Sequence, residues 1–231
     1  MTLVAIHQPN FFPWLGYFDK IVRSDLFIFM DNAQFPKKGG NWVNRVKLLV
    51  GGGGHWATVP VNRAYHGVLP ISAMKIDNRT PWRDKLLKTI EMNYKSSPCY
   101  GEVFPVILPL AENPTPSLAE YNIASITALA KHLGLNTGKL ILGSSLTTQG
   151  QSTDLLISMV RACGGTAYLC GGGAAYQDDE KFPVAGLQLI YQNFTHPQYP
   201  QASSTEFVPG LSIIDALMNC GFSGVRRLLG L

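Results

Sequence analysis

The stretch Val4–Phe35, VAIHQPNFFPWLGYFDKIVRSDLFIFMDNAQF, decides the fold of this chain. An apolar run at 2–6 leads into His7, a loop of proline and aromatic residues follows, and an amphipathic segment at 15–23 precedes a second apolar run at 25–30. Short continuous apolar runs are typical of strands buried on both faces. Strand, helix and strand within about thirty residues predict a βαβ unit with parallel strands.

The same alternation continues along the rest of the chain. A Pro-rich segment at 98–116 predicts at best a broken helix, and the glycine run at 51–54 predicts a loop or hairpin tip. The chain is therefore predicted to be one α/β domain over 1–231, with a Rossmann-like, mostly parallel sheet flanked by helices and a Pro-rich helical insertion. Further helices are predicted at 80–96, 117–134, 152–164 and 212–221, and further strands at 55–61, 74–77, 138–146, 166–170 and 187–194. Thr80 is expected to cap the first of these helices, Ser117 with Glu120 and Ser212 with Asp215 are expected to form capping boxes, and the strand at 138–146 is expected to be buried.

Composition limits the classes of function. Of the 231 residues, 46% are hydrophobic and 15% charged, which favours a compact core over disorder. The net charge of +4 suits an anionic small molecule and lacks the strong basic footprint of nucleic-acid binding, although a charged tRNA stays open as a donor. Neither a signal peptide nor a membrane partner is expected, so a cytoplasmic location is predicted; the oligomeric state is not predicted. Four scattered cysteines predict reduced core thiols, and no metal site is predicted.

Ligands of open parallel sheets bind outside the carboxyl ends of the strands. The first connection there places His7 and Gln8 at a strand end and Gly16 at a helix start, where a ligand could approach the backbone. Tyr17 and Lys20 follow and add polar groups. The alternative is that the aromatic residues close off the sheet end and that His7 is a core imidazole.

The other connections at this edge carry further candidates. The segment 31–45 is rich in cations, of which Lys37 and Arg45 suit a polyphosphate, while Trp42 could stack on a base or sugar. A solvated hairpin is the alternative. The third connection offers Ser145, and the fourth joins Gly171 to Tyr176 through a glycine run whose backbone N–H groups could approach an anion.

Several motifs, in order along nearly the whole chain, resemble the WbqC-like family. They are HQPNFFPWLGYFDKI, DNAQF, PKK, NWVNRVK, TVPV, YLCGGGAAY and LSIIDALMNCG. Members of that family are often encoded among genes for bacterial surface polysaccharides, especially those with modified amino sugars. The resemblance therefore implies a role in the biosynthesis of such a glycan.

A second resemblance is to the nucleotidyltransferase and pantothenate-synthetase superfamily, where an H-x-G-H motif at a helix start binds ATP phosphates. Here the segment 14–17 keeps the glycine and loses both histidines. The segment FIFMDNAQF is similar to a strand of pantothenate synthetase followed by a glutamine that meets the carboxylate substrate, which implies that role for Gln34. The likeness implies that ATP with Mg²⁺ could activate a carboxylate as an adenylate.

These patterns favour an enzyme that transfers an acyl or aminoacyl group to an amino-sugar nucleotide. His7 would be a base or phosphate contact, and Lys37 and Arg45 would stabilise charge on the phosphates. The alternatives are a nucleotidyltransferase and a non-catalytic sugar-nucleotide binder or complex subunit. The predicted catalytic residues are His7, Lys37 and Arg45, and the predicted contacts of the nucleotide or substrate are Gln8, Trp14, Gly16, Tyr17, Lys20, Asp31, Gln34, Trp42, Asn44, Ser145, Gly171 and Tyr176.

Overall fold

The structure is a computed structural model that describes residues 1–36, 41–171, 177–202 and 204–231. In chain order, the described elements are β1 (Leu3–His7), α1 (Leu15–Arg23), β2 (Leu26–Phe29), β3 (Arg45–Val50), β4 (Gly53–Thr58), α2 (Trp82–Tyr94), α3 (Tyr100–Glu112), α4 (Leu118–His132), β5 (Leu140–Leu142), α5 (Ser152–Ala162), β6 (Ala167–Cys170), α6 (Lys181–Val184), β7 (Gln188–Tyr191) and α7 (Ile213–Leu228, interrupted at Gly221).

Five strands form one parallel sheet in the order β5-β2-β1-β6-β7. The chain begins in the middle, extends through β2 to β5 at one edge, and returns to the other side of β1 for β6 and β7. This order confirms the predicted Rossmann-like α/β fold. The strand order reverses between β1 and β6, so a crevice forms at their carboxyl ends, which is where ligands of such sheets bind.

The sheet separates two layers of core. On one face, Ala5 of β1 packs with Phe27 and with residues of α1, α2, α3, α4 and α7. On the other, Val4 and Ile6 pack with residues of α5 and α6. Because side chains of a strand alternate between faces, the continuous apolar run of β1 serves both layers. This position in the middle of both cores fixes the carboxyl end of β1, and therefore His7.

The antiparallel strands β3 and β4 form a hairpin outside the main sheet. Its turn contains Gly51 and Gly52 with φ of 57° and 81°, a conformation that glycine adopts without steric cost. The predicted hairpin tip is confirmed for Gly51 and Gly52, whereas Gly53 and Gly54 belong to β4. The predicted strand at 74–77 is wrong, since Lys75 and Ile76 make only isolated bridges.

The predicted broken helix in the Pro-rich segment is also wrong, because α3 is continuous through Pro105 and Pro109. Its buried residues Val103, Ile107 and Ala111 recur every fourth position and face the core. The two prolines are likewise four residues apart but lie on the exposed side. Carbonyls on that side can tilt toward water, which relieves the clash that a proline otherwise creates.

Three expected helix ends differ in detail. The helix α2 begins with Pro81 at the capping position and no side-chain cap, so Thr80 is not its cap. Ser117 caps α4 by accepting from the backbone N–H of Glu120, but the Glu120 carboxylate accepts from Thr115 Oγ1 instead of closing a capping box. Ser212 caps α7 in a similar way.

The carboxylate of Asp215 lies in the core, where it accepts hydrogen bonds from Tyr199 Oη and Gln201 Nε2. It therefore does not close the second predicted capping box.

The strand β5 is a half-exposed edge strand, not the buried strand that was predicted. The four cysteines are free thiols. None of the helices in the described part of the chain is long and apolar enough for a membrane span.

Candidate functional site

His7 is the last residue of β1 and opens onto the crevice. Its Nδ1 lies 3.1 Å from the carbonyl oxygen of Gln8. A carbonyl only accepts, so Nδ1 carries the proton and Nε2 carries a lone pair. Burial, and then the charge of Lys20, lower the pKa of His7 to about 3, so the ring is neutral at physiological pH. Within the described ranges, no side chain or backbone group binds Nε2.

Tyr17 is fully buried beside His7, with ring centroids 4.7 Å apart. Its hydroxyl donates to the same carbonyl oxygen of Gln8 over 3.1 Å. Burial raises the pKa of Tyr17 well above its ordinary value, so the hydroxyl stays protonated. Gln8 therefore holds both neighbours through its backbone, and the Tyr17 hydroxyl is already engaged inside the protein.

Lys20 lies on the buried face of α1, and only 3% of its surface is exposed. Its Nζ donates to the carbonyl oxygen of Ile6 over 3.2 Å, directly before His7. Burial lowers the pKa of Lys20 to about 8. A Cβ built on Gly171, just after β6, would lie 3.6 Å from Nζ. The ammonium therefore faces the crevice between the ends of β1 and β6.

Gln192 directly follows β7 and was not among the predicted residues. Its Nε2 donates to the carbonyl oxygen of Gly16 over 2.6 Å and to Asp19 Oδ2 over 2.7 Å. Its Oε1 lies 4.0 Å from a Cβ built on Gly171. The strand was predicted to run to 194, which placed Gln192 inside it, whereas the observed end of β7 at Tyr191 puts this residue at the carboxyl edge of the sheet.

A row of aromatic rings runs from the crevice to the β3–β4 hairpin. Ring centroids are 5.7 Å apart for His7 and Trp14, 4.9 Å for Trp14 and Trp42, and 5.1 Å for Trp42 and Trp56. The guanidinium carbon of Arg45 lies 4.2 Å from the Trp56 centroid. Trp56 is 42% exposed and was not predicted. The structure thus links Trp14 of the first loop to Trp42 and, through Trp56, to Arg45.

The glycine at the start of α1 has a packing role. A Cβ on Gly16 would lie 2.8 Å from Phe194 Cδ1 and 2.8 Å from Trp14 Nε1. The space beside Gly16 is thus filled by aromatic rings of the chain itself. This corrects the expectation that a ligand approaches the backbone at that point.

The fold itself engages the polar atoms of three other predicted residues. Asp31 accepts from the backbone N–H and hydroxyl of Ser144 over 2.8 and 2.6 Å, which links the ends of β2 and β5. Buried Asn44 donates to the carbonyl of Val59, and Ser145 Oγ donates to the carbonyl of Leu142. Their roles in binding stay predictions, without support from these contacts.

Gln34 is exposed and pairs with Pro70 in an isolated bridge beyond the end of β2. Its predicted contact with a carboxylate stays a prediction. Lys37 and Tyr176 lie outside the described residues.

The residues at the start of α1 do not fit a site for ATP phosphates of the kind that H-x-G-H forms. Trp14 and Tyr17 replace the two histidines, the Tyr17 hydroxyl is engaged, and the glycine between them is covered. The described residues also contain no group of three His, Cys, Asp or Glu side chains that could hold a metal ion. The use of ATP with Mg²⁺ stays a prediction.

Comparisons with known proteins cover most of the chain. The model of the WbqC-like protein family matches residues 8–227. A protein of Mycobacterium tuberculosis (strain ATCC 25618 / H37Rv), named uncharacterized protein Rv1507c, is 29% identical over 224 residues, which are 96% of this chain and 95% of that protein. No solved structure matches the chain significantly.

Proposed function

Since the chain belongs to the WbqC-like protein family, we propose that it transfers an acyl or aminoacyl group to the amine of a nucleotide-linked sugar during the biosynthesis of a bacterial surface polysaccharide or related glycan. The gene neighbourhoods that are typical of the family support a role in glycan biosynthesis. The polar groups at the strand-order reversal support a small-molecule site there.

The observation that carries the proposal is the unprotonated Nε2 of His7 at the carboxyl end of β1. A sugar amine that attacks an acyl carbon must lose a proton as the new bond forms. The nitrogen–carbon bond forms, the bond from the acyl carbon to its leaving group breaks, and the proton passes to Nε2. With a pKa of about 3 in the free protein His7 is a weak base, so this role requires the negative charge that builds on the reacting groups beside the ring to raise that pKa. A phosphate oxygen and the unprotonated Nε2 are both acceptors, so no hydrogen bond can form between them. The geometry therefore favours a base role for His7 over contact with a phosphate.

The aromatic row offers a place for the nucleotide. Trp56 is 42% exposed, and the Arg45 guanidinium lies over its ring, so a base could stack only on the part of the ring that Arg45 leaves uncovered. The Nε of Arg45 is buried without a hydrogen-bond partner among the described residues, so a ligand phosphate could supply the missing acceptor. Lys47 Nζ lies 5.3 Å from the same ring and adds positive charge.

The test is to incubate the protein with nucleoside triphosphates including ATP, amino acids including glycine, acyl thioesters, a panel of amino-sugar nucleotides and the matching amino-sugar 1-phosphates, and to identify products by mass spectrometry. An amide of the sugar nucleotide is the expected product. Loss of the base in His7→Asn should lower the turnover rate by about 10²-fold or more.

His132→Asn is the matched control, because His132 lies in the last turn of α4, stacked on Phe222. It should retain full turnover. Unchanged turnover in His7→Asn would remove His7 from the mechanism. A new nucleotide-sugar with release of pyrophosphate would instead identify a nucleotidyltransferase, and saturable binding without product from any donor would identify a binding protein.

A further inference from the structure

Two polar atoms face the place that a side chain would take at Gly171, and we call Lys20, Gly171 and Gln192 together the Gly171 slot. A Cβ built on Gly171 would lie 3.6 Å from Lys20 Nζ and 4.0 Å from Gln192 Oε1. These are ordinary van der Waals distances, so a methyl group at this glycine would touch both side chains, and the two polar atoms face the same place beside Gly171. The two polar atoms are at most 7.6 Å apart, the sum of those distances.

The orientation of the Gln192 amide follows from its partners. The carbonyl oxygen of Gly16 and the carboxylate of Asp19 both accept, so the amide nitrogen must face them. The amide oxygen is then directed away from them, toward Gly171. No donor from the described residues reaches it. The slot therefore presents one free acceptor.

Lys20 provides the opposite character at the other side of the slot. Its ammonium has three N–H groups, of which one is used by the carbonyl oxygen of Ile6. Only 3% of Lys20 is exposed, and no carboxylate in the described ranges forms an ion pair with it. A buried cation is costly without a partner, so an anionic ligand group would be stabilised here.

We infer that the Gly171 slot binds a free α-amino acid, with its carboxylate on Lys20 Nζ and its ammonium on Gln192 Oε1. In an α-amino acid the amine and carboxylate oxygens are roughly 3 Å apart by standard bond lengths, and hydrogen bonds add about 2.8 Å at each end. Such a molecule therefore reaches both atoms. A nucleobase or carboxamide also offers an acceptor next to a donor, but it brings no negative charge for Lys20.

This inference rests on the proposed function, because it names the source of the acyl group. Glycine is the appropriate probe, since it carries the two groups shared by all α-amino acids and has no side chain that the slot could exclude. Saturation-transfer NMR on the full chain, without any nucleotide, reads binding independently of turnover. Acetate and methylamine, which each carry one of the two groups, are the comparison ligands.

Lys20→Met removes the charge at nearly constant volume, and Gly171→Val fills the slot. Lys139→Met is the matched control, because Lys139 also donates to backbone carbonyls, those of Val22 and Ser24, but precedes β5 at the opposite edge of the sheet. Glycine should bind the unmodified chain and the control equally, and at least tenfold more weakly to the two slot variants. Acetate and methylamine should bind at least tenfold more weakly than glycine.

Each other outcome decides a different claim. Absence of glycine binding, or equal binding by Gly171→Val, would overturn the slot. Amide formation only from donors without an amino group would also overturn it while leaving acyl transfer intact. Glycine binding as expected, with no product from any mixture, would support the slot and remove the proposed function. Thermal melts establish that each variant is folded, and if Lys20→Met is not, Gly171→Val decides.

Discussion

Gly16→Ala tests whether the start of α1 is filled by the protein's own side chains. The added methyl would lie 2.8 Å from Phe194 Cδ1 and from Trp14 Nε1, closer than carbon contacts allow. Overpacking of this kind costs about 1–3 kcal/mol. Alanine in a helix returns up to about 1 kcal/mol relative to glycine. We expect a net loss of about 1 kcal/mol in the free energy of unfolding.

Gly101→Ala is the matched control. Gly101 is the second residue of α3, as Gly16 is the second residue of α1, so the helix propensity term is the same in both. A Cβ on Gly101 meets no atom within 4 Å. This variant should be as stable as the unmodified chain or gain up to about 1 kcal/mol. The difference between the two variants then isolates the overpacking cost of about 1–3 kcal/mol.

Urea denaturation followed by far-UV circular dichroism measures this difference, since tryptophan fluorescence would also report the local change at Trp14. Each kcal/mol corresponds to about 2–4 °C in the melting temperature of a domain of this size. If Gly16→Ala were as stable as Gly101→Ala, there would be room beside Gly16. The reading of a covered glycine would then be wrong, and ligand approach at that point would regain support.

Three further predictions follow from other contacts. Folding lowers the pKa of Lys20 from 10.5 to about 8, so between these pH values the unfolded chain binds more protons than the folded chain, and the free energy of unfolding rises with pH. The rise should be about 3 kcal/mol. Lys20→Met should lack it when denaturation is measured at a series of pH values from 7 to 10.5. Asp31→Ala should lower the unfolding free energy by about 1.5–3 kcal/mol, because two hydrogen bonds to Ser144 are lost, and an unchanged denaturation midpoint would contradict that link. Trp56→Ala should weaken sugar-nucleotide binding by about 1–3 kcal/mol in calorimetry if a base stacks on the ring, whereas equal affinity would place the nucleotide elsewhere.

The sheet could be predicted from the sequence because its signals are local. The apolar runs of β1 and β2 and the periodicity of α1 are each contained within a few residues, and α1 has the predicted bounds. The continuity of α3 could not be predicted in this way. Whether a proline breaks a helix depends on which side faces water, and that side is set by contacts with other helices.

In the site as well, local features could be predicted from the sequence and long-range contacts could not. His7 could be identified because it ends the first strand, and Lys20 because it lies on the helix that follows that strand. The packing role of Gly16 depends on Phe194, and the contribution of Gln192 depends on a bond to Gly16 across 176 positions of sequence. Such long-range pairs leave no periodic pattern in a single sequence, so the tertiary contacts had to be seen.

The central place of the first strand has a consequence for biosynthesis on the ribosome. β1 is made before the other strands of the sheet, and β2 can pair with it soon afterwards, but its other neighbour begins only at Ala167. Until that part of the chain has emerged, β1 has one open, apolar edge that is prone to pair with other chains. Chaperone demand during synthesis should therefore end late, and fragments that stop before Ala167 should aggregate even though they retain His7 and all of α1.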